Sequence, residues 1–293
     1  MTFRNVVVRN PAHLSVKNGQ LAVRVQDRTN FVSIEDTASL LIEDRQTTIT
    51  SHALSALAEQ NCAVYICDKS HLPIGVFLPF QSHGKQLLRI QEQVSLSSAR
   101  KGILWQQVIK AKIANQAQVL RLAGKTMGEE RLLQLQKAVE VSDVGNREAQ
   151  AAQVYFFSLF GSGFSRDLQN GWNAALNYGY SIVRGSLARA ISQYGLIPSL
   201  GIFHRNQFNN FNLADDFIEP FRPFVDLWVA TYQSSHALLT PETKTSLISL
   251  LQSKVRLDEK QVTLEYATTK VVESYVSYLN NTHQKKITLP SFL

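Results

Sequence analysis

Two adjacent segments concentrate the groups able to do chemistry: His204-Arg-Asn-Gln-Phe-Asn-Asn-Phe-Asn and Leu213-Ala-Asp-Asp-Phe-Ile-Glu-Pro-Phe-Arg-Pro-Phe-Val-Asp. They crowd a histidine, the carboxylates of Asp215, Asp216 and Glu219, and Arg205 and Arg222 among Phe217, Phe221 and Phe224. Carboxylates close to apolar surface cost free energy unless a counter-charge or a metal compensates them. Asp215 and Asp216 open helix-like sequence, where a helix cap is one reading of each. Glu219 lies four and three residues further on, sharing a helix face with both, and Pro220 starts or kinks the helix there. Three like charges on one face are unfavourable alone, and a divalent cation would offset that cost. His204 follows the apolar run Leu196-Ile-Pro-Ser-Leu-Gly-Ile-Phe and reads either as a structural histidine or as a ligand. One histidine with two carboxylates suits Mg²⁺ or Mn²⁺ with positions left open for a phosphate and water. It does not suit structural zinc, which prefers closed Cys/His sets. Arg205 and Arg222 could hold phosphates, or pair with Asp215, Asp216 or Asp226.

The elements that must position these groups divide the chain in two. Short β-branched runs at Asn5–Val8, His13–Val16, Leu21–Val25, Phe31–Ile34 and Ser39–Glu43 are separated by turn signals at Asn10-Pro11, Lys17–Gly19 and Asp27–Asn30. This spacing suggests a small sandwich or a sheet built from hairpins. Ser51–Gln60 reads as an amphipathic helix, and Cys62–Cys67 and Ile74–Leu78 as further strands. Pro79–Gly84 reads as linker sequence, after which apolar residues recur at helical steps. Helices are expected over Gln86–Arg121, Glu129–Val141, Arg147–Phe160, Trp172–Gln193, Ala214–Tyr232, Pro241–Ser253 and Tyr266–Asn280. The architecture expected is α+β: a β-sandwich domain at 1–80, a linker at 81–86 and a larger all-α domain at 87–293. The segment Lys285–Leu293 reads as a docked tail or a mobile arm.

Bulk properties narrow the partners. The chain of 293 residues is 44% apolar, enough for a real core and too apolar for disorder. Thirty Lys and Arg outweigh 23 Asp and Glu, a net charge of +7. Most of the excess falls between Gln81 and Glu140, where Lys110 and Lys112 belong to a stretch that reads as a solvated helix surface or a phosphate-binding face. Cys62 and Cys67 are five residues apart, on opposite strand faces, and are expected as buried free thiols. No signal-peptide core or membrane-length apolar run occurs, so a reducing, cytoplasmic location without a membrane partner is expected.

Four segments in order carry a family resemblance. They are Asn146-Arg-Glu-Ala with Tyr155-Phe, Trp172-Asn-Ala-Ala-Leu-Asn-Tyr-Gly-Tyr, Leu196-Ile-Pro-Ser-Leu-Gly-Ile-Phe-His, and Leu213 through Asp226. The chain resembles the CRISPR-associated integrase of spacer acquisition, CRISPR-associated protein one. Its length and the Glu at 219 are most similar to the type II branch. The resemblance implies metal ligands at Glu148, His204 and Glu219, although Glu148 taken alone reads as a surface residue. It implies an N-terminal β-sandwich through which two copies dimerise. It also implies strand transfer, in which a prespacer 3′-hydroxyl attacks the leader–repeat boundary. The partners implied are prespacer and repeat duplex DNA, a second copy, and CRISPR-associated protein two in a hetero-hexamer. Contacts to the effector nuclease and other acquisition proteins stay unassigned. A DNA hydroxyl as nucleophile agrees with the lack of a Ser/His/Asp or Cys/His arrangement. Two alternatives stand beside this reading: a structure-specific nuclease on branched DNA, and a non-catalytic DNA-binding scaffold.

Overall fold

The computed structural model describes residues 4–68, 73–79, 86–125, 127–281 and 283–293. Two compact units emerge, Met1–Gln86 with Ser192–Gly195, and Leu87–Ile191 with Leu196–Leu293. Apart from Gln86, the expected linker at 81–86 lies outside the described residues.

In the first unit the strands are β1 (Arg4–Val8), β2 (His13–Lys17), β3 (Gln20–Val25), β4 (Arg28–Ser33), β5 (Thr37–Ile42), β6 (Thr48–Ile49), β7 (Ala63–Cys67) and β8 (Pro73–Phe77), with helix α1 (Ser51–Glu59) between β6 and β7. Among the described residues they form two four-stranded sheets, ordered β4-β3-β2-β6 and β1-β5-β7-β8. The hairpin reading holds for β2-β3-β4, which run antiparallel. Asn18 and Gly19, both at positive φ, close the first hairpin, as an Asn-Gly turn requires. The second turn sits one step earlier than the expected Asp27–Asn30: Val25 pairs with Arg28, so Gln26-Asp27 is the loop. The other sheet is mostly parallel, β1 and β7 flanking β5 in the same direction. Every residue of β5 is buried, the pattern of a central strand covered on both faces. Leu14, Leu21, Leu40, Ile42, Leu57 and Val64 share one core, drawn from both sheets and α1. Cys62 and Cys67 are both buried and are not joined in a disulfide.

The second unit is predominantly helical. Its helices are α2 (Gln86–Ser95), α3 (Ser98–Leu122), α4 (Glu129–Lys137), α5 (Arg147–Phe160), α6 (Gly171–Gln193), α7 (Asn212–Ile218), α8 (Arg222–Tyr232), α9 (Pro241–Ser249) and α10 (Leu264–Asn280). The long helix read at Gln86–Arg121 breaks at Ser97, whose side chain caps α3 by accepting from the Arg100 N–H. The helix read at Ala214–Tyr232 is three pieces: α7, the 3₁₀ turn Glu219–Phe221, and α8. Pro220 and Pro223 explain the break, since each lacks the N–H that would continue the ladder. A three-stranded sheet accompanies the helices, β9 (Lys254–Leu257) between β10 (Lys260–Thr263) and β11 (Pro290–Ser291). The C-terminal tail is therefore docked, and Phe292 stacks on Phe224 with ring centroids 4.2 Å apart. Helix α3 is the axis, packed against α4, α5, α8 and the 3₁₀ turn. No helix among the described residues is long and apolar enough to cross a membrane.

Candidate active site

Lys112 stands on the buried side of α3 and is only 8% exposed. Asn115, one turn on, donates from its carboxamide to the carbonyl oxygens of Pro220 (2.8 Å) and Pro290 (3.0 Å). That amide ties the 3₁₀ turn and the tail strand β11 to α3, and it sets Glu219 opposite Lys112. The Lys112 ammonium lies 2.5 Å from Glu219 Oε2 and 2.6 Å from Glu148 Oε1. Arg222 Nε donates to the other Glu219 oxygen at 2.8 Å.

Glu148 reaches this place through an unusual helix start. Ser142, Asp143 and Asn146 all take positive φ, a conformation that costs energy for non-glycine residues. Asp143, itself buried, accepts from the backbone N–H groups of Arg147 (2.9 Å) and Glu148 (3.0 Å), capping the first turn of α5. Gly102 of α3 makes room for this turn, since a Cβ there would sit 2.3 Å from Ser142 Oγ.

His204 is held by Asp216, which is fully buried at 0% exposure. Asp216 accepts from the backbone N–H groups of Ile202 (2.5 Å), Phe203 (3.1 Å) and His204 (3.0 Å), and it meets His204 Nδ1 at 2.8 Å. A buried carboxylate on Nδ1 fixes the ring and leaves Nε2 as its free nitrogen. Gly201 permits the wrap, because a Cβ there would approach the His204 carbonyl oxygen to 2.3 Å. The imidazole also stands edge-on to Trp105 and Phe203, whose rings stack 4.2 Å apart.

These surroundings set the charges. Burial pushes the Glu219 carboxyl upward, but Arg222 and Lys112 outweigh it and hold the pKa at about 2. The Asp216 hydrogen bond raises His204 above its ordinary value against the opposing effect of burial. Beneath the site, burial raises Asp226 to about 6 despite hydrogen bonds from Tyr155 (3.0 Å) and Tyr180.

The structure brings Glu148 and Glu219 onto one cation. His204 lies within electrostatic reach of Glu219, yet among the described residues no three His, Cys, Asp or Glu side chains gather closely enough to hold a metal. The two glutamates and the imidazole still fit a hard divalent ion in donor type. Glu219 Oε2 is buried, and the cation beside it is the Lys112 ammonium at 2.5 Å. Neither Asp215 nor Asp216 caps α7. Asp215 pairs with Arg184 through both oxygens, at 2.5 and 2.8 Å. The like charges read on one helix face are thus compensated separately, by Arg184, by backbone N–H groups with His204, and by Lys112 with Arg222. Arg222 takes Glu219 rather than Asp215, Asp216 or Asp226 as its ion-pair partner.

The expected phosphate contacts fare differently. Lys112 is buried, with its ammonium held between the carboxylates of Glu148 and Glu219. Lys110 is half-buried and Arg205 is exposed. Elsewhere in the basic stretch Arg89 pairs with Glu92, Arg121 pairs with Glu129, and Arg100 donates to the carbonyls of Tyr278 and Asn281. Sequence reading missed Arg166 and Arg184, which join Tyr180, His204, Asp215 and Arg222 around a cleft of about 400 Å³. Their signal was present only as arginines in the segments flanking Trp172–Tyr180.

The sequence model of the family described as CRISPR associated protein Cas1 matches residues 6–261. A protein of Neisseria meningitidis serogroup C, named CRISPR-associated endonuclease Cas1, is 40% identical over 296 residues, covering 100% of this chain and 97% of its own. Among solved structures, a casposase bound to integration product superposes with a TM-score of 0.80 at 21% identity, covering 97% of this chain and 92% of that one. A Cas1 protein from Thermotoga maritima gives 0.76 at 16% identity, covering 95% and 97%. At these identities the structural likenesses establish the fold, β-sheets followed by a helical region. The chain belongs to the CRISPR-associated Cas1 family.

Proposed function

We propose that this chain is a metal-dependent DNA integrase and nuclease of CRISPR adaptation, inserting prespacer DNA by attack of a 3′-hydroxyl at the leader–repeat boundary. The observation that carries the reading is the meeting of Glu148 and Glu219 on one cation, in a Cas1-family chain whose His204 is pinned by a buried carboxylate. Glu148, Glu219 and His204 Nε2 would hold Mg²⁺ or Mn²⁺. The chemistry such an ion supplies is polarisation of a phosphate oxygen and stabilisation of the leaving oxyanion.

The chain's own groups do the rest. Asp216 fixes the His204 tautomer, so that Nε2 presents a lone pair to a ligand or exchanges a proton with the attacking or leaving oxygen. Arg222 beside Glu219 keeps that carboxylate ionised at any working pH, ready as a ligand. Because DNA brings its own nucleophile, the protein's task is alignment, where a misplacement of about 1 Å can cost a hundredfold. The partners proposed are prespacer and repeat duplexes, a second copy, and CRISPR-associated protein two in a hetero-hexamer. A solved Cas6-RT-Cas1–Cas2 complex contains a chain of this fold, with a TM-score of 0.72.

In the test, Glu148→Ala, His204→Ala and Glu219→Ala are each assayed for insertion of a labelled prespacer into a repeat-bearing plasmid. All three should abolish strand transfer in the folded, dimeric fraction, with Glu219→Ala also lowering the melting temperature because it leaves Lys112 and Arg222 without their buried partner. Wild-type activity in the triple variant would sink the reading. The Neisseria relative is named an endonuclease, which favours hydrolysis as a second reading, here taken as a structure-specific nuclease on branched DNA. Equal rates on branched DNA lacking a leader–repeat sequence would select that reading.

A further inference from the structure

Three arginines line the cleft that His204 shares, and they differ in how their charge is used. Arg184 is bound by both oxygens of Asp215. Arg222 is bound by Glu219 and lies over the Tyr180 ring, 4.6 Å from its centroid. Arg166 makes no ion pair among the described residues. Its two terminal nitrogens donate instead to neutral oxygens, Asn173 Oδ1 at 2.5 Å and Asn177 Oδ1 at 2.6 Å, and its guanidinium lies 5.5 Å from the Tyr180 centroid.

The charge is held in place without a salt bridge, and the nearest carboxylate acting on it, the buried Asp226, does so only at a distance. Asn173 also donates to the carbonyls of Ser165 and Leu168, both at 2.8 Å, which fixes the loop that presents Arg166. Phe160 and Phe164 stack 4.5 Å apart, and Phe160 packs on Trp172 at 5.0 Å, so both ends of the loop are anchored by rings. A guanidinium has five N–H donors. Two are used here, leaving three for a bidentate contact with an anion, the geometry in which Arg meets phosphate. The half-buried position strengthens that contact relative to one in open water.

We propose that Arg166 is a positioning residue for the substrate: a pre-oriented anchor for a DNA backbone phosphate beside the reacting one. The inference rests on the functional reading above and names a contact within it. Arg166 holds the strand in register with His204, while Arg184 and Arg222 shape the protein.

The test compares Arg166→Gln and Arg166→Lys with wild type. Binding of a labelled duplex with single-stranded 3′ ends is measured in EDTA across a salt series, beside strand-transfer kinetics and melting temperature. Removing one phosphate contact should lower the slope of log K against log[salt] by about one. Arg166→Gln should show that loss, weaker binding and a raised KM, with melting unchanged. Arg166→Lys should recover the slope but only part of the affinity, since an ammonium cannot bind bidentately. Wild-type slope and affinity in Arg166→Gln would overturn the proposal, as would a fall in melting temperature matched by Arg166→Lys with no change of slope in either. Binding in EDTA needs no turnover. A lowered slope beside a wild type without strand transfer would therefore keep the anchor and reject the integrase reading. The reverse pattern would reject the anchor alone.

Discussion

Lys112 brings a charge into the space between two carboxylates that would otherwise repel one another across a buried gap. Removing one partner of a buried ion pair costs about 3–5 kcal/mol, because the other charges stay buried. Lys112→Met should therefore lower the melting temperature sharply in EDTA. It should also enlarge the stabilisation by Mn²⁺, since a ligand that binds only the folded state stabilises by mass action. Calorimetry of both proteins with and without Mn²⁺ reads this directly. An equal Mn²⁺ shift in variant and wild type would mean that the ammonium does not occupy ligand space. Lys112 also marks what the sequence could not convey. Its run of basic neighbours reads as surface, and only the packing of α3 against α5 and the 3₁₀ turn reveals that it faces inward. Glu148 taken alone was equally silent, being one glutamate in an Ala- and Gln-rich helix start, and it stood out only through the Asn146-Arg-Glu-Ala motif. The Asp216–His204 pairing joins residues whose spacing follows neither helix nor strand periodicity, since a loop returns to meet the helix.

At the scale of elements, α5, α6 and α8 meet on Asp226, which takes hydrogen bonds from Tyr155 and Tyr180 and feels Arg222 and Arg166. Its folded pKa of about 6 lies above its ordinary 3.8, burial being the main cause. A raised folded pKa means that the proton is held more tightly in the folded state. The associated stability is complete below about pH 4 and is lost as pH rises through about 6. Asp226→Asn removes that titration. The stability of Asp226→Asn relative to wild type should rise by on the order of 2 kcal/mol between pH 4 and pH 7.5. Denaturant melts at a series of pH values would show it, and a difference independent of pH would refute it. Element types were largely legible in the sequence, because β-branched runs and helical steps are local signals. Sheet pairing was less so: the parallel partners β1, β5 and β7 are joined across the fold, and no turn residue announces them. The breaks at Ser97 and Pro220 rest on chemistry, a cap and a missing N–H, but a proline interrupts a helical pattern more plainly than a serine does.

For the whole molecule, the basic excess is partly consumed within the fold. Arg89, Arg100, Lys112 and Arg121 serve internal partners, so net charge overstates the surface offered to a polyanion. The tail contributes to the site in a way its composition did not reveal. Deleting residues 290–293 removes the β11–β9 pairing, the Phe292–Phe224 stack and one acceptor of Asn115. The expected cost is about 1–3 kcal/mol of stability, together with a loss of strand transfer exceeding the loss of folded protein. Melting curves and integration assays on the same preparations separate the two, and full specific activity in the folded fraction would contradict it. The Asn115 amide grips the tail with one hand and the turn bearing Glu219 with the other. Tension applied to that strand, by a fused tag or by a neighbour competing for the β9 edge, therefore pulls on the same grip. The tail is a lever whose far arm ends at a candidate ligand.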